Sequence, residues 1–473
     1  MQATSHAFKD NVKKAIVDPG LQKALGMMKT GFQARRLAAI QKLPEFEELR
    51  EKGREIKNHV LENLDFYLER FERKVKEAGG HVHWCRTAEE ARQTILELCR
   101  KRNAKTVTKG KSMIAEEIAL NDFLEEKGIE PVETDLGEYI IQLRREPPSH
   151  IIAPAVHLNK EDVIEAFHKS HTHLDPNRPM EEPTQLLDEA RTVLRPKFLA
   201  ADVGITGANF MIAESGSTII VTNEGNGDLT QILPKMHIVL ASLEKLVPTF
   251  EDAATILRLL ARSATGQEFS VYTTVSTGPK RAADHDGPEE FHVVLLDNGR
   301  TNILGTEFQD MLRCIRCSAC LNHCPVYATV GGHAYGWVYP GPMGSVLTPT
   351  LIGIQEAGHL PNASTFCGRC ESVCPMKIPL PKMMRHWRER EFERHLSPAS
   401  VRTGLAFWAW FAKRPRLYRL ATGIVSRLLG LLGRANGRYS WLPLASGWTK
   451  GRDFPAPQGG TFMSRYAAQR RTS

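Results

Sequence analysis

Seven cysteines lie within 61 residues of this 473-residue chain, in two runs that each end just before a proline. The runs are Cys314-x2-Cys317-x2-Cys320-x3-Cys324 and Cys367-x2-Cys370-x3-Cys374. Short loops of this spacing place three thiolates around one iron–sulfur cube, and the cysteine before the proline reaches across to the other cube. The spacing therefore predicts two clusters, the first held by Cys314, Cys317, Cys320 and Cys374 and the second by Cys324, Cys367 and Cys370.

The predicted second cluster is one protein ligand short. Ser364 stands three residues before Cys367, where the repeat would place a fourth cysteine. Three explanations stay open: a [4Fe–4S] cluster with water, hydroxide or the Ser364 oxygen on its fourth iron, a [3Fe–4S] cluster, or a ligand supplied by a partner protein. Cys85 and Cys99 are formally available, but they fall in a predicted strand and a predicted apolar helix, which favours burial as small hydrophobic side chains.

Structural zinc and disulfides are the other uses of closely spaced cysteines. Zinc is satisfied by four ligands per ion, whereas the first run presents three thiols to one centre, as a cube requires. Disulfides belong to oxidising compartments, and residues 1–20 have no apolar run after their charges, as a secretory signal would. The longest apolar candidate, residues 405–412, is too short to span a membrane. These observations favour an iron–sulfur protein of the cytoplasm.

The charge of the chain is concentrated at its carboxyl end. Residues 401–473 hold 13 Lys and Arg against one acid, Asp453, so this tail carries +12 while residues 1–400 carry −4. Such asymmetry indicates an anionic partner surface. With Trp408, Trp410, Trp441 and Trp448 among the arginines, the tail is suited to the inner face of a membrane or to an acidic partner protein. Nucleic acid is a third, less favoured partner.

The order of predicted elements indicates four segments. Residues 1–60 are helical and charged, and 54–78 carry apolar residues at helical spacing. Strands at 81–85, 104–108 and 129–134 alternate with helices at 88–102 and 113–127, which predicts an α/β domain with a mostly parallel sheet over 61–300. Further strands are predicted at 200–213, 218–222, 237–241, 271–274 and 291–296. A ferredoxin-type domain over 301–395, with helices at 307–313 and 379–394, and a basic extension over 396–473 complete the chain.

The α/β segment also holds a candidate binding loop. Residues 214–227 are rich in Gly and Ser and either cradle a small anion with backbone N–H groups or form a tight-turn network. Glu214 is the candidate site acid, and Lys109 and Lys111 are either carboxylate-binding cations or solvated lysines. Neither a Walker A motif nor a Rossmann fingerprint follows a strand, so no NAD or flavin site is expected. Because clusters pass single electrons, this chain alone is not expected to be a dehydrogenase.

Three blocks of the α/β segment resemble the LUD domain of lactate utilization proteins: TKGKSMIAEE at 108–117, DVGITGANF at 202–210 and ESGSTIIVTNEG at 214–225. Together with the cysteine runs and the basic tail, the chain resembles the bacterial iron–sulfur proteins of the lactate utilization B family. The resemblance implies the fold shared by ribose-5-phosphate isomerase, glucosamine-6-phosphate deaminase and CoA transferases, followed by a helical ferredoxin domain like that of succinate dehydrogenase. The family's cluster ligands match the seven cysteines in the two groups given above.

The resemblance also implies a function: electron transfer beside partner proteins A and C, which together oxidise L-lactate to pyruvate. Two rival functions stay open. One is an isomerase or transferase acting on phosphosugars or CoA esters, with structural clusters. The other is an iron–sulfur redox sensor or nucleic-acid-binding protein. Among the histidines, His323 precedes Cys324 and is placed either to tune a cluster or to face solvent. The other histidines considered show no metal-ligand spacing: His81, His83, His157 and His237.

Overall fold

The computed structural model describes residues 3–433, 435–443, 445–449 and 451–472. By its internal contacts the chain separates into two compact units, Met1–Glu391 and Phe392–Ser473. The finer boundaries that the sequence places at residues 60, 300 and 395 stay predictions.

Five helices open the first unit, and their apolar stripes supply part of its core. They are α1 (Phe8–Ala15), α2 (Pro19–Met28), α3 (Ala34–Gln41), α4 (Phe46–Glu62) and α5 (Leu64–Glu77). The prediction of a single helix over 54–78 is wrong, because Asn63 takes a non-helical conformation (φ −130°, ψ 38°) and separates α4 from α5. The Asn63 amide donates to the carbonyl of His59 at 2.8 Å, a local bond that competes with helix continuation.

A parallel sheet forms the centre of the first unit. The elements of this region are β1 (His81–Cys85), α6 (Ala88–Lys101), β2 (Thr106–Gly110), α7 (Met113–Glu117), α8 (Leu120–Glu126), β3 (Glu130–Glu133), α9 (Leu136–Arg144), α10 (Lys160–Ser170), α11 (Pro183–Ala200), β4 (Val203–Thr206), β5 (Phe210–Ile212), β6 (Ser217–Thr222), α12 (Asn226–Ile232), β7 (Met236–Ser242), β8 (Leu246–Val247), α13 (Phe250–Ala264), β9 (Tyr272–Ser276) and β10 (Glu290–Leu296). Six strands pair in the order β1-β10-β7-β4-β2-β3, all parallel. The predicted parallel α/β core is therefore confirmed.

A second sheet and two breaks depart from the sequence prediction. Four strands, in the order β8-β5-β6-β9, form a smaller sheet in which β6 is antiparallel to both β5 and β9. The predicted strand 200–213 is divided into β4 and β5 because the chain turns at Gly207, where a Cβ would lie 2.7 Å from the carbonyl oxygen of Lys111. The predicted helix 113–127 is divided at Ala119, which adopts φ +52°. Alternation of element types carries no information on such local turns.

The cysteine runs lie in short helices and loops that share one core with the opening helices. These elements are α14 (Ala319–Asn322), α15 (Tyr327–Val330), α16 (Gly341–Ile352), α17 (Ile354–Ala357), α18 (Arg369–Ser372) and α19 (Leu380–Glu393). The predicted helix at 307–313 is instead a 3-10 turn over Gln309–Arg313. Buried Leu25 and Phe46 of the opening helices belong to the same apolar cluster as Tyr327 and Trp387. The cluster-binding region thus depends on residues 1–62 for part of its packing.

The second unit contains α20 (Ala399–Ala412), α21 (Pro415–Leu432), β11 (Arg438–Tyr439), α22 (Ser446–Thr449), β12 (Phe454–Pro455) and α23 (Phe462–Thr472). Strands β11 and β12 pair antiparallel. Large apolar side chains on α20 and α21 are exposed, among them Phe407, Trp408 and Leu432. Within the described parts of the chain, no helix has the length and apolar character needed to cross a membrane.

Candidate iron–sulfur centres and an adjoining pocket

The structure brings four thiols around one cavity. Its lining includes Cys314, Cys317 and Cys320 of the first run and Cys374 of the second run. The Cys314–Cys320 loop wraps around the cavity through two left-handed residues, Arg316 (φ +59°) and Ser318 (φ +61°). Apolar side chains close the remaining walls, so three of the four cysteines are buried. The four thiols are the group that the spacing predicts for the first cluster.

A second cavity is lined by Cys324 of the first run together with Cys367 and Cys370. Ser364 lines the same cavity, as its place in the repeat predicts. Its hydroxyl accepts a hydrogen bond from the backbone N–H of Phe366 at 3.2 Å. Cys367 is exposed to solvent, whereas three of the four thiols around the first cavity are buried.

The thiols line the walls of the two cavities and do not converge on a position for a single metal ion. Among the residues that the structure describes, no group of three or more His, Cys, Asp or Glu side chains is close enough to hold a single metal ion. Four thiols spread over the walls of a cavity suit a cluster of several iron and sulfur atoms better than one tetrahedral zinc ion. The residues present therefore fit iron–sulfur clusters.

Burial and mutual repulsion favour the protonated form of the buried thiols in the absence of metal. Burial raises the pKa of Cys320 well above its ordinary value, and the neighbouring Cys314 and Cys317 raise it further. Burial and Cys324 likewise raise the pKa of Cys370 to about 12. Because iron binds the thiolate form, cluster assembly is coupled to proton release and to folding of the loops.

Backbone N–H groups point at the sulfurs that precede the prolines. The N–H of Tyr327 donates to Cys324 Sγ and the N–H of Ile378 donates to Cys374 Sγ, both at 3.5 Å. Such bonds stabilise negative charge on cluster sulfurs and are one of the protein's means of setting a cluster's potential. His323 Nδ1 instead shares a hydrogen bond with the carbonyl of Ala319 at 2.9 Å, inside its own helical turn.

Arginines from the opening helices hold the second cysteine run. Arg50 of α4 donates to the carbonyl of Cys374 at 2.7 Å and to that of Ser372 at 3.1 Å. Arg36 of α3 donates to the carbonyl of Val373 at 2.8 Å. Both arginines are buried. Sequence reasoning did not find these residues, because nothing in a helical pattern marks an arginine that will be buried against a distant carbonyl.

A buried ion network connects the α/β part to the loop of the first run. Glu117 accepts hydrogen bonds from Arg300 at 2.6 and 3.0 Å and from the hydroxyl of Tyr339 at 2.7 Å. Glu244 lies 3.0 Å from Arg300 Nε and accepts a hydrogen bond from Arg316 at 3.1 Å. Burial raises the pKa of Glu244, but Arg300 and Arg316 outweigh it and hold that pKa at about 2. Arg316, which lies between Cys314 and Cys317 in the sequence, is held in place by this network.

The three sequence blocks that resemble the LUD domain meet at one pocket of about 170 Å³. Lys111 and Ser112 come from the first block, Asn209 from the second and Thr222 from the third. Lys111 directly follows β2, and Gly207, another lining residue, directly follows β4. The pocket therefore lies at the carboxyl edge of the parallel sheet, where α/β proteins bind ligands. Arg316 forms part of its wall.

Two predicted site residues lie elsewhere. Lys109, considered as a solvated lysine or an anion ligand, is buried and forms ion pairs with Glu116 and Glu133, each at 2.6 Å. Glu214, the candidate site acid, accepts a hydrogen bond from the backbone N–H of Phe250 at 2.6 Å, where α13 begins. The interpretation of Lys109 as a solvated lysine is therefore wrong, and Glu214 does not line the pocket. Lys111 reaches the pocket, where its ammonium pairs with Asp135.

The two cysteines outside the runs, and the four histidines considered in the sequence analysis, make contacts within the fold. Cys85 and Cys99 lie in the apolar core beside the sheet, and burial raises the pKa of Cys99 to about 12. His83 bonds to His292 on the neighbouring strand, and His237 bonds to Thr206. His81 stacks on His292 and His157 bonds to Glu146. The expected burial of the two cysteines is confirmed.

In the second unit, arginines stack on two of the tryptophans that the sequence analysis assigns to a partner or membrane surface. The Arg414 guanidinium lies 4.1 Å from the ring centre of Trp410, and that of Arg452 lies 3.8 Å from Trp448. These contacts keep cationic and aromatic groups together at the surface. Two of the 13 basic residues counted in the tail, Arg434 and Lys450, lie outside the described residues.

Comparison with known proteins agrees with this arrangement. The family model of the LUD domain matches residues 68–296, that of a 4Fe-4S dicluster domain matches 310–378, and that of the lactate utilisation protein B C-terminal region matches 369–471. Lactate utilization protein B of Lysinibacillus sphaericus is 45% identical over 98% of this chain and 97% of its own length. The chain belongs to the lactate utilization protein B family.

Other members of this family show the same extent of similarity. The Bacillus subtilis protein is 44% identical over 99% of this chain and 97% of its own length, and the Anoxybacillus flavithermus protein is 45% identical over 97% of both. A crystal structure described as a DUF162 family protein from Deinococcus radiodurans aligns with 49% of this chain and 98% of its own, at 16% identity and a TM-score of 0.25. That likeness is too low to support an argument.

Proposed function

We propose that this chain is the iron–sulfur electron-transfer component of an L-lactate-oxidising assembly, in which lactate utilization proteins A and C are its partners and pyruvate is the product. The observation that carries the proposal is the grouping of seven cysteines around two neighbouring cavities. When bound there, the clusters supply one-electron oxidation and reduction. The chain itself is not the catalyst of lactate oxidation in this proposal.

In the proposed arrangement, two [4Fe–4S] clusters occupy the cavities. The ligands of the first are Cys314, Cys317, Cys320 and Cys374, and those of the second are Cys324, Cys367 and Cys370. The second cluster has three thiolate ligands. Either Ser364, water or hydroxide binds its fourth iron, or the cluster is a [3Fe–4S] core without a fourth iron. Its solvent-exposed Cys367 makes this cavity the natural exit toward a partner protein, whereas burial insulates the first.

The protein's own residues have two tasks in this function. Backbone N–H groups of Tyr327 and Ile378 stabilise charge on one sulfur of each group. Arg36 and Arg50 fix the second cysteine run against the opening helices. Rigid surroundings of this kind reduce the structural change that accompanies each change of charge, which favours rapid electron transfer.

The finer fold assignments and the location belong to the same proposal. The α/β part would share its fold with ribose-5-phosphate isomerase and the CoA transferases, and the cysteine region with helical ferredoxins. The chain would work in the cytoplasm, with its basic second unit at an acidic partner or at the inner membrane face. The exposed Arg414 and Trp410 pair has the mixed character that both surfaces select.

One experiment tests the function directly. The chain is purified without oxygen together with proteins A and C, and its visible absorption is followed after addition of L-lactate. We expect L-lactate to bleach the cluster absorption and D-lactate or acetate to leave it unchanged. Clusters that dithionite reduces, but that L-lactate never reduces in the assembled complex, would refute the proposal. Liposome flotation with and without residues 401–473 separates membrane contact from partner docking.

A further inference from the structure

The pocket of about 170 Å³ at the carboxyl edge of the sheet contains polar groups that the fold does not use. The Lys245 side chain lines it, is 93% buried and makes no hydrogen bond or ion pair with any described residue. The hydroxyl of Thr222 also lines it, is buried and has no hydrogen-bond partner in the described chain. Buried polar groups are normally satisfied, so the orphaned hydroxyl of Thr222, beside a lysine that makes no ion pair within the described chain, indicates a ligand.

Two further donors face the same space. Asn209 uses its carbonyl oxygen to accept a bond from the N–H of Val221 at 2.9 Å, which leaves its amide N–H2 without a partner among the described residues. Arg316 gives one nitrogen to Glu244, and its Nε is buried without a hydrogen bond. A ligand that accepts hydrogen bonds at several oxygens would satisfy these groups together.

The lining of the pocket favours a ligand with a negative charge. Two cations line it, Lys245 and Arg316. Asp135 at the pocket wall is paired with Lys111. Burial and the adjacent Glu133 and Asp135 raise the pKa of Glu138 well above the ordinary value, which favours its neutral form.

The lining restricts the ligand further. Met113, Ile152 and Leu260 supply apolar wall, which suits an alkyl group at the end opposite the charge.

We propose that the pocket binds a short 2-hydroxy or 2-oxo carboxylate, with Lys245 and Arg316 at its carboxylate and Thr222 and Asn209 at the oxygen on carbon 2. This inference rests on the proposed function, which supplies lactate and pyruvate as the probes. Arg316 and Ile151 line both this pocket and the first cysteine cavity. A bound anion therefore lies one residue away from the first cluster, and its negative charge stabilises the oxidised cluster.

The test uses the full chain with its clusters, prepared without oxygen and without partners. We expect calorimetric titration to give one site per chain for L-lactate and for pyruvate. Lys245→Met should weaken both by about tenfold to a hundredfold, the usual value of a charge-assisted contact. Thr222→Val should weaken L-lactate binding and leave stability unchanged, because the hydroxyl bonds to no described residue. The matched control is Lys235→Met, at a surface lysine that is 73% exposed.

A spectroscopic measurement provides the second readout. Pyruvate should alter the EPR line shape of the reduced first cluster and lower its midpoint potential in the wild type, and do neither in the Lys245→Met variant. If Lys245 serves only to balance the cluster's charge, the variant will shift the potential while anion affinity stays unchanged, and the inference is overturned. Equal affinity for acetate or phosphate overturns the ligand class.

The two proposals fail separately. If lactate reduces the clusters in the assembled complex but does not bind to this chain alone, the pocket inference is wrong and the electron-transfer function stands. If lactate binds here but never reduces the clusters in the complex, the function is wrong and the site stands.

Discussion

The ion pair between Glu117 and Arg300 offers a sharp test of how the α/β part is joined to the cysteine region. Both side chains are almost completely buried, at 0% and 1% exposure. Besides Arg300, Glu117 accepts from Tyr339 at 2.7 Å and from Asn298 at 2.7 Å. Glu117→Met would leave the Arg300 cation with Glu244 as its remaining carboxylate and would leave the Tyr339 hydroxyl without an acceptor.

Removing one partner of a buried pair costs about 3–5 kcal/mol, most of it from the charge that is left behind. We expect this loss in the free energy of unfolding for Glu117→Met and a similar loss for Arg300→Met. The double variant should lose clearly less than the sum, because replacing both charges by apolar groups leaves fewer unpaired buried groups. A matched control is Glu268→Gln, which removes the exposed ion pair with Lys42 at 3.1 Å and should cost less than about 1 kcal/mol.

Anaerobic urea unfolding of the cluster-loaded protein provides the assay, followed by tryptophan fluorescence and by cluster absorption. Coincident transitions and an unchanged m-value are required before midpoints are converted into free energies. The reasoning is refuted if Glu117→Met shifts the midpoint no more than Glu268→Gln does. It is equally refuted if the two single losses add without interaction.

Three further outcomes follow from the site. Cys374→Ser should remove the first cluster and about half of the bound iron, although Cys374 belongs to the second run. The control variant Cys99→Ser should keep its full iron content. If Cys374→Ser instead loses the EPR signal of the second cluster, the grouping is overturned. Ser364→Cys should suppress the three-iron EPR signal that mild oxidation produces, and an unchanged signal would place Ser364 away from the fourth iron. Burial lowers the pKa of His150 from 6.5 to about 4, so the unfolded state binds the proton first and the free energy of unfolding should fall by about 3 kcal/mol as pH drops from 6.5 to 4. Urea midpoints across that range, with His150→Gln as the reference, check this; equal slopes for both proteins would contradict it.

Much of the architecture follows from local patterns in the sequence. Alternating strand and helix signals predict the parallel sheet and a helix from residue 88. That helix is α6, and the N–H of Glu90 in its first turn donates to Thr87 Oγ1 at 3.2 Å. The interruption at Asn63 and the left-handed Ala119 were missed. In both places the helical periodicity continues across the break, so the hydrophobic pattern alone does not reveal it.

The charged residues show the opposite limit. Lys109 and Glu214 lie in blocks whose composition suggests a binding loop, yet each is used inside the fold. Lys245 and Arg316 carry no motif of their own, but they face the pocket. A charge acquires its role from what surrounds it after folding, and elements distant in sequence supply those surroundings.

Taken alone, the sequence predicts which thiols group together, and the linings of the two cavities match that grouping. It also determined the parallel sheet and the polarity of the chain's charge. Only the tertiary structure decided that Cys367 is exposed while most thiols of the first group are buried. It also decided that Arg36 and Arg50 hold the Cys374 loop, and that the pocket lined by Lys245 shares a wall with the first cavity. The physical reason is range: spacing acts through the backbone over a few residues, whereas burial and net charge depend on all the elements that meet at a point.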